Sequence, residues 1–153
     1  MLSLQEISDR LEIQDLMARY CHAIDRRDFA ALDDMFTPDA IIDYTEMGGA
    51  RGALPNIKLY LQRALAQFRG SQHLVASLLV KITGDTATCS SICHNPMIVA
   101  VEGRDWPFFC GLWYHDRLAR TSTGWRIAER VQQKSYFFNV PPDFAAAPTT
   151  VTT

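Results

Sequence analysis

An excess of charge of either sign is missing from this chain. Fifteen Lys and Arg stand against seventeen Asp and Glu, and the basic residues are scattered, so the sequence offers no electropositive face for nucleic acid. Long apolar runs are missing as well, and even Leu74–Val80 is only strand-sized, which argues against a membrane span. Met1-Leu2-Ser3-Leu4-Gln5-Glu6 lacks the basic and apolar regions of a signal peptide, and a cytoplasmic protein is expected. The sequence has no internal repeat, Gly-rich phosphate loop, nucleophile elbow or helical H-E-x-x-H. None of its four cysteines, Cys21, Cys89, Cys93 and Cys110, forms a C-x-x-C pair. Cys89 and Cys93 on one strand face, joined by His73, do not have the spacing of a zinc site. Free thiols filling a core in a reducing compartment are the better account. Neither a metal nor an organic cofactor is expected.

What is present suits one folded domain. The 153 residues are 48% apolar and 21% charged, enough for one real core and too few for two. Ser3-Leu4-Gln5-Glu6 has the form of a capping box, and the spacing predicts a helix from there to about Asp25. Ile13, Leu16, Met17, Tyr20 and Ile24 fall on one apolar arc at helical period, with Asp15, Arg19, His22 and Arg26 opposite. Asp28 can cap a short second helix over Phe29–Phe36, which Thr37-Pro38-Asp39 ends. A first strand is expected over Ala40–Tyr44, a loop at Gly48–Gly52, and a third helix from Pro55 to about Phe68. Four β-rich stretches follow: Leu74–Ile82, Thr86–Val101 with a bulge at Asn95-Pro96, Phe108–Arg120 and Trp125–Lys134. Helices followed by a meander of long strands predict an α+β fold. Asn139–Thr153 has no periodicity and reads as an arm or frayed tail.

Three residues interrupt their local patterns. Asp25 sits at the edge of the apolar arc, in the last turn of the first helix, where the helix dipole disfavours a carboxylate. Tyr44 ends the first strand, and His73 opens what reads as a buried strand in Ser71-Gln72-His73-Leu74-Val75. A carboxylate, a phenol and an imidazole in one pocket are the parts needed for proton transfer beside a carbonyl. The bland alternatives are a surface acid paired with Arg26 or Arg27, a strand aromatic with its hydroxyl at a pocket edge, and a core histidine bonded to a backbone carbonyl.

Several motifs carry a resemblance. Arg19-Tyr20-Cys21-His22-Ala23-Ile24-Asp25-Arg26-Arg27-Asp28-Phe29, Met35-Phe36-Thr37-Pro38-Asp39-Ala40, Ser71-Gln72-His73-Leu74, the Gly84-Asp85-Thr86-Ala87 turn and Tyr114-His115-Asp116-Arg117 leading to Gly124-Trp125-Arg126-Ile127 resemble SnoaL-like proteins of the NTF2-like superfamily, over roughly residues 4–135. That resemblance implies a cone, with N-terminal helices packed on a strongly curved, mostly antiparallel sheet around a pocket. It places the domain at residues 1–138 and leaves 139–153 as a flexible or pocket-covering arm. The order Tyr20, Asp25, Tyr44, His73 looks most like scytalone dehydratase and the bile-acid dehydratases. The sequence departs from scytalone dehydratase at Ile24, where that enzyme has a tyrosine.

The resemblance implies a cofactor-independent lyase that dehydrates a hydroxy-ketone or a cyclic polyketide- or steroid-like molecule. Asp25, His73 and Tyr44 are its expected catalytic residues, and Tyr20, His94 and one of Trp113 or Tyr114 its expected substrate contacts. An isomerase or aldol-type cyclase using the same dyad is the nearest alternative. A non-catalytic module, like the β subunit of ring-hydroxylating dioxygenases, is the more distant one. The expected ligand is small, apolar and ring-containing, and the outer sheet face is expected to build a homo-oligomer, a trimer rather than a dimer.

Overall fold

The computed structural model describes residues 1–142. Helix α1 (Leu4–Asp25) opens on the capping box that its sequence predicts: Glu6 N donates to Ser3 Oγ at 3.1 Å and Ser3 N donates to Glu6 Oε2 at 2.9 Å. Its apolar arc is buried, Ile13, Leu16, Met17, Tyr20 and Ile24 each being 2% exposed or less. The helix stops in a two-bond turn in which Arg27 N donates to Ile24 O and Asp28 N to Ala23 O. Arg27 takes the left-handed conformation there, at φ 62°, a place usually held by glycine.

The second predicted helix is a short 3-10 turn, Ala30–Asp34, with Ala31 N donating to Asp28 Oδ1 at 3.3 Å. Strand β1 (Phe36–Asp43) begins earlier than expected and runs parallel to the last strand. Its register shifts between Phe36 and Ile41, and Pro38 occupies that irregular stretch, where a missing N–H breaks no ladder bond. Strand β2 (Arg51–Ala53) leads into helix α2 (Leu54–Leu65), which has proline in its first turn. Strands β3 (Phe68–Ser71), β4 (Leu74–Thr83), β5 (Thr86–Val101), β6 (Arg104–Thr121) and β7 (Gly124–Phe138) complete the chain. The sheet order is β2-β1-β7-β6-β5-β3, with β4 also paired to β5.

The result is two helices packed on a strongly curled, mixed sheet that forms a half-barrel, an α+β cone. The β5–β6 ladder is unbroken from Thr86↔Ala119 to Val101↔Arg104, so the bulge expected at Asn95-Pro96 is not there. Bulges lie instead in β4 between Ala76 and Leu79, and in the β6–β7 ladder at Gly111/Leu112 and Arg117/Leu118. Pro96 is accommodated because β5 changes partner beside it, from β3, ending at Ser71↔Met97, to β4, starting at Leu74↔His94. Pro96 O accepts from Gln72 N across that junction, and in an antiparallel ladder a residue's nitrogen faces the same side as its oxygen. The missing N–H therefore falls where regular pairing is already interrupted.

His73 lies in this two-residue break between β3 and β4 rather than on a strand. Nor is β4 the buried strand that its apolar run suggested: Leu74 is 53% and Leu79 76% exposed. Its bulge, with Ser77 at φ 54°, turns Val75, Leu78, Val80 and Ile82 toward the core and the others outward. The core fills the space between α1 and the concave sheet face. Within the predicted arm, Trp106 Nε1 donates to Asn139 O at 2.7 Å and Asn139 Nδ2 to Pro107 O at 2.6 Å. Residues 143–153 of that arm, Phe144 among them, lie outside the described residues.

Candidate active site

The β3–β4 break resolves the oddity of Asp25. Its carboxylate, at the disfavoured end of α1, reaches across to three donors: Ser71 Oγ at 3.0 Å, His73 N at 2.8 Å and the His73 ring through Nδ1 at 2.7 Å. Burial opposes ionisation of this carboxyl, but the hydrogen bonds from the His73 ring, the His73 backbone and Ser71 outweigh it, and its pKa lies below the ordinary value. Behind them, Arg27 Nη1 donates to Ser71 Oγ at 3.0 Å and to Ile24 O at 2.9 Å. A charged residue, a hydroxyl, the carboxylate and the imidazole thus form one chain of contacts. Because an ionised carboxylate only accepts, a neutral His73 must carry its hydrogen on Nδ1, which puts the ring's lone pair on Nε2.

Nε2 lies beside a cavity of about 490 Å³, lined by Tyr20, Tyr44, His73 and Asn95 among mainly apolar neighbours such as Phe108 and Leu112. Asn95 Nδ2 lies 3.1 Å from Nε2. Tyr44 follows β1 in a tight turn where its O accepts from Gly49 N at 2.9 Å. A Cβ on Gly49 would come within 2.7 Å of the Tyr44 Cβ, so glycine permits that approach. The Tyr44 and Tyr20 hydroxyls are 2.7 Å apart, and both are buried. Burial pushes both phenols up, Tyr44 well above its ordinary value, so both keep their hydrogens at neutral pH. One hydrogen serves the bond between them, and the other is left for a ligand acceptor.

Arg130 supports this pair from below. Its guanidinium lies 4.0 Å from the Tyr20 ring centre and 4.2 Å from that of Tyr114, and it donates to both Asp116 oxygens at 2.7 and 2.8 Å. Arg130 and Asp116 are a fully buried pair. Burial alone would lower the arginine's pKa, but the adjacent Asp116 carboxylate holds it well above its ordinary value. That fixed charge also opposes the burial effect on Tyr20.

Of the three expected substrate contacts, Tyr20 lines the cavity, whereas His94 and the Trp113-or-Tyr114 position do not. His94 is on the outer face of β5, with Nδ1 3.0 Å from the Tyr136 hydroxyl and its ring stacked on Phe109, because alternation puts Asn95 on the inner face. Trp113 is likewise on the outer face and 36% exposed. Tyr114 is on the inner face, but it is sealed beneath Tyr20 and Arg130 and does not line the cavity. Asn95, Ser71, Arg27 and Arg130 were not anticipated. Asn95 shares its strand parity with Cys89 and Cys93, both free buried thiols that burial pushes up to about 12. Reading those cysteines as core residues already implied an inward Asn95.

The fold and this site define an α+β cone with a histidine–carboxylate pair in the wall of its cavity. A model of the SnoaL-like domain matches residues 5–131, and the chain belongs to that family. The uncharacterized protein Rv2910c of Mycobacterium tuberculosis is 49% identical over 136 residues, which cover 89% of this chain and 92% of that protein. Solved structures with the same fold include a scytalone dehydratase-like protein from Novosphingobium aromaticivorans, at TM-score 0.77 and 16% identity, covering 96% of both chains. Another is the hexachlorocyclohexane dehydrochlorinase LinA-type3 from Novosphingobium barchaimii, at TM-score 0.74 and 17% identity, covering 95% of this chain and 99% of that one. At those identities the likeness is one of fold.

Proposed function

We propose that the protein is a cofactor-independent lyase that removes water from a cyclic hydroxy-ketone. The observation that carries this reading is the Asp25–His73 pair, at 2.7 Å, set in the wall of a mainly apolar cavity that a pair of buried phenols also lines. A substrate carbonyl accepts the spare hydrogen of the Tyr20–Tyr44 pair, which makes the neighbouring C–H more acidic. His73 Nε2 takes that proton as general base, and Asp25 stabilises the imidazolium and holds the ring in place. The imidazolium then protonates the departing hydroxyl, so one histidine serves both steps on one face of the substrate. Exclusion of water by the apolar wall strengthens each of these interactions. Both named structural relatives carry elimination in their names, loss of water or of hydrogen chloride, and that supports the reaction class.

The test is to incubate the protein with cyclic hydroxy-ketones and look for loss of water by mass spectrometry. Asp25→Asn and His73→Ala should each lower turnover by orders of magnitude, and the double variant should be scarcely worse, because the two act as a unit. Turnover that survives both single changes would refute the reading, and a product of unchanged mass would point to isomerisation or cyclisation.

The proposal includes self-association through the convex sheet face. Ile92, Trp113, Tyr136 and Phe138 are exposed there at 45, 36, 45 and 65%, and the register sets Ile92 beside Trp113 and Phe109 beside Phe138. Such a contiguous apolar surface is unusual for a monomer. A homo-oligomer, a trimer before a dimer, is expected from light scattering, and a monomer would overturn this part.

A further inference from the structure

Asn95 touches the reacting nitrogen, yet the chemistry above leaves half of its amide without a task. Its orientation follows from the groups around it. The Asp25 carboxylate only accepts, so a His73 ring that serves as base carries its hydrogen on Nδ1 and presents a lone pair at Nε2. An amide oxygen facing that lone pair would be repelled, so Asn95 turns its Nδ2–H toward Nε2, at 3.1 Å. Asn95 Oδ1 is then buried with no hydrogen-bond partner among the described residues. The residue is only 5% exposed and lines the same cavity as His73, Tyr20 and Tyr44. A buried carbonyl oxygen left unsatisfied is costly and calls for an explanation.

We propose that Asn95 Oδ1 accepts a hydrogen bond from the departing hydroxyl of the substrate, so that Asn95 selects a β-hydroxy ketone over analogues whose leaving group carries no hydrogen. The proposal rests on the lyase reading and deepens it. Oδ1 and Nδ2 are two ends of one amide, so a hydroxyl bound at Oδ1 lies beside Nε2. Held by its own hydrogen, that hydroxyl turns a lone pair toward the histidine. The C–H bond next to the carbonyl breaks, its proton passes to Nε2, and the electron pair moves to the carbonyl oxygen as an enolate. The enolate then collapses to form the C=C bond, the C–O bond breaks, and the hydroxyl leaves as water with the proton returned from Nε2. In the free protein Asn95 Nδ2 occupies the Nε2 lone pair. Substrate entry therefore exchanges that bond for one at Oδ1. A halide in the same place would set its partial negative charge against the Oδ1 lone pairs.

Three tetralones test this. 3-Hydroxy-1-tetralone and 3-fluoro-1-tetralone both yield 1-naphthol, by loss of water or of hydrogen fluoride, and naphthol fluorescence reports turnover. Asn95→Leu should lower kcat/KM for the hydroxy compound roughly 100-fold and for the fluoro compound less than about fivefold, since a site built to bond a hydroxyl loses most on the substrate that has one. Equal falls on both would mean that Asn95 merely holds His73, and would overturn the proposal. Affinities read by ligand-observed NMR immediately after mixing give a measure independent of chemistry. The wild-type protein should bind 3-hydroxy-1-tetralone about tenfold more tightly than plain 1-tetralone. That ratio should vanish in Asn95→Leu and persist in Asn95→Asp, which keeps the acceptor and nearly the shape should the leucine variant not fold. A ratio near one in the wild type, its survival in Asn95→Leu or its loss in Asn95→Asp would each overturn the proposal. A tenfold ratio without naphthol from either ketone would refute the lyase reading and leave the hydroxyl site standing.

Discussion

Tyr44 concentrates the chemistry at the scale of single residues. Its hydroxyl is buried and shares one hydrogen bond with Tyr20 at 2.7 Å, so Tyr44→Phe removes a donor without opening the wall. Removal of one such donor to a developing oxyanion costs roughly 100-fold or more in kcat. That loss, with KM changed little, is the expected result on the substrate identified by the dehydration screen. Individual residues were only partly legible in the sequence. Asp25, Tyr44 and His73 stood out because each broke a local pattern. Asn95 was hidden by its histidine neighbour, and only strand parity separates the two, His94 outward and Asn95 inward.

At the scale of elements, the β6–β7 ladder holds what the sequence concealed. The register passes from Arg117↔Glu129 to Leu118↔Ile127, leaving Ala128 unpaired, and that slip sets which side of β7 Arg130 faces. Simple alternation from Trp125 and Ile127 would have turned Arg130 outward. Instead it is buried against Asp116 under two tyrosine rings. Asp116→Asn would leave that guanidinium buried without its counter-charge, and the expected loss is about 3–5 kcal/mol in denaturant unfolding. Helix α1, by contrast, was readable along its whole length, because its cap and its apolar arc are local signals. The β3–β4 break was not, since it is held by contacts to Asp25, 48 residues away in sequence.

For the whole molecule, acid should act through carboxyls that folding keeps ionised. Asp9, on α1, is 1% exposed and receives both terminal nitrogens of Arg120, at 2.5 and 2.7 Å, with the Trp125 indole N–H at 3.1 Å. Those bonds, Arg120's first, hold its carboxyl well below the usual range despite burial, and Asp25 is shifted the same way. A carboxyl that is more acidic in the folded state stabilises fully above its unfolded value of about 4. It loses that contribution as pH falls from there toward the folded value. The thermal midpoint should therefore be level near neutrality and decline below about pH 4. Asp9→Asn should lower it at neutral pH and flatten the decline. The α+β class was visible in the order of helices and long strands, but the parallel β1–β7 pair was not, because nothing local in β1 names its partner.

The turn that ends α1 carries a consequence of its own. Arg27 sits at φ 62°, where glycine would rest without strain, and its guanidinium braces Ser71 behind the Asp25–His73 pair. Folding and turnover therefore make opposite demands on this one position. Arg27→Gly should leave the thermal midpoint unchanged or raise it, since relief of the left-handed side chain offsets the added freedom of the unfolded chain. The same change should slow turnover by loosening Asp25. Selection for heat resistance alone would tend to replace this arginine, whereas selection for activity would keep it.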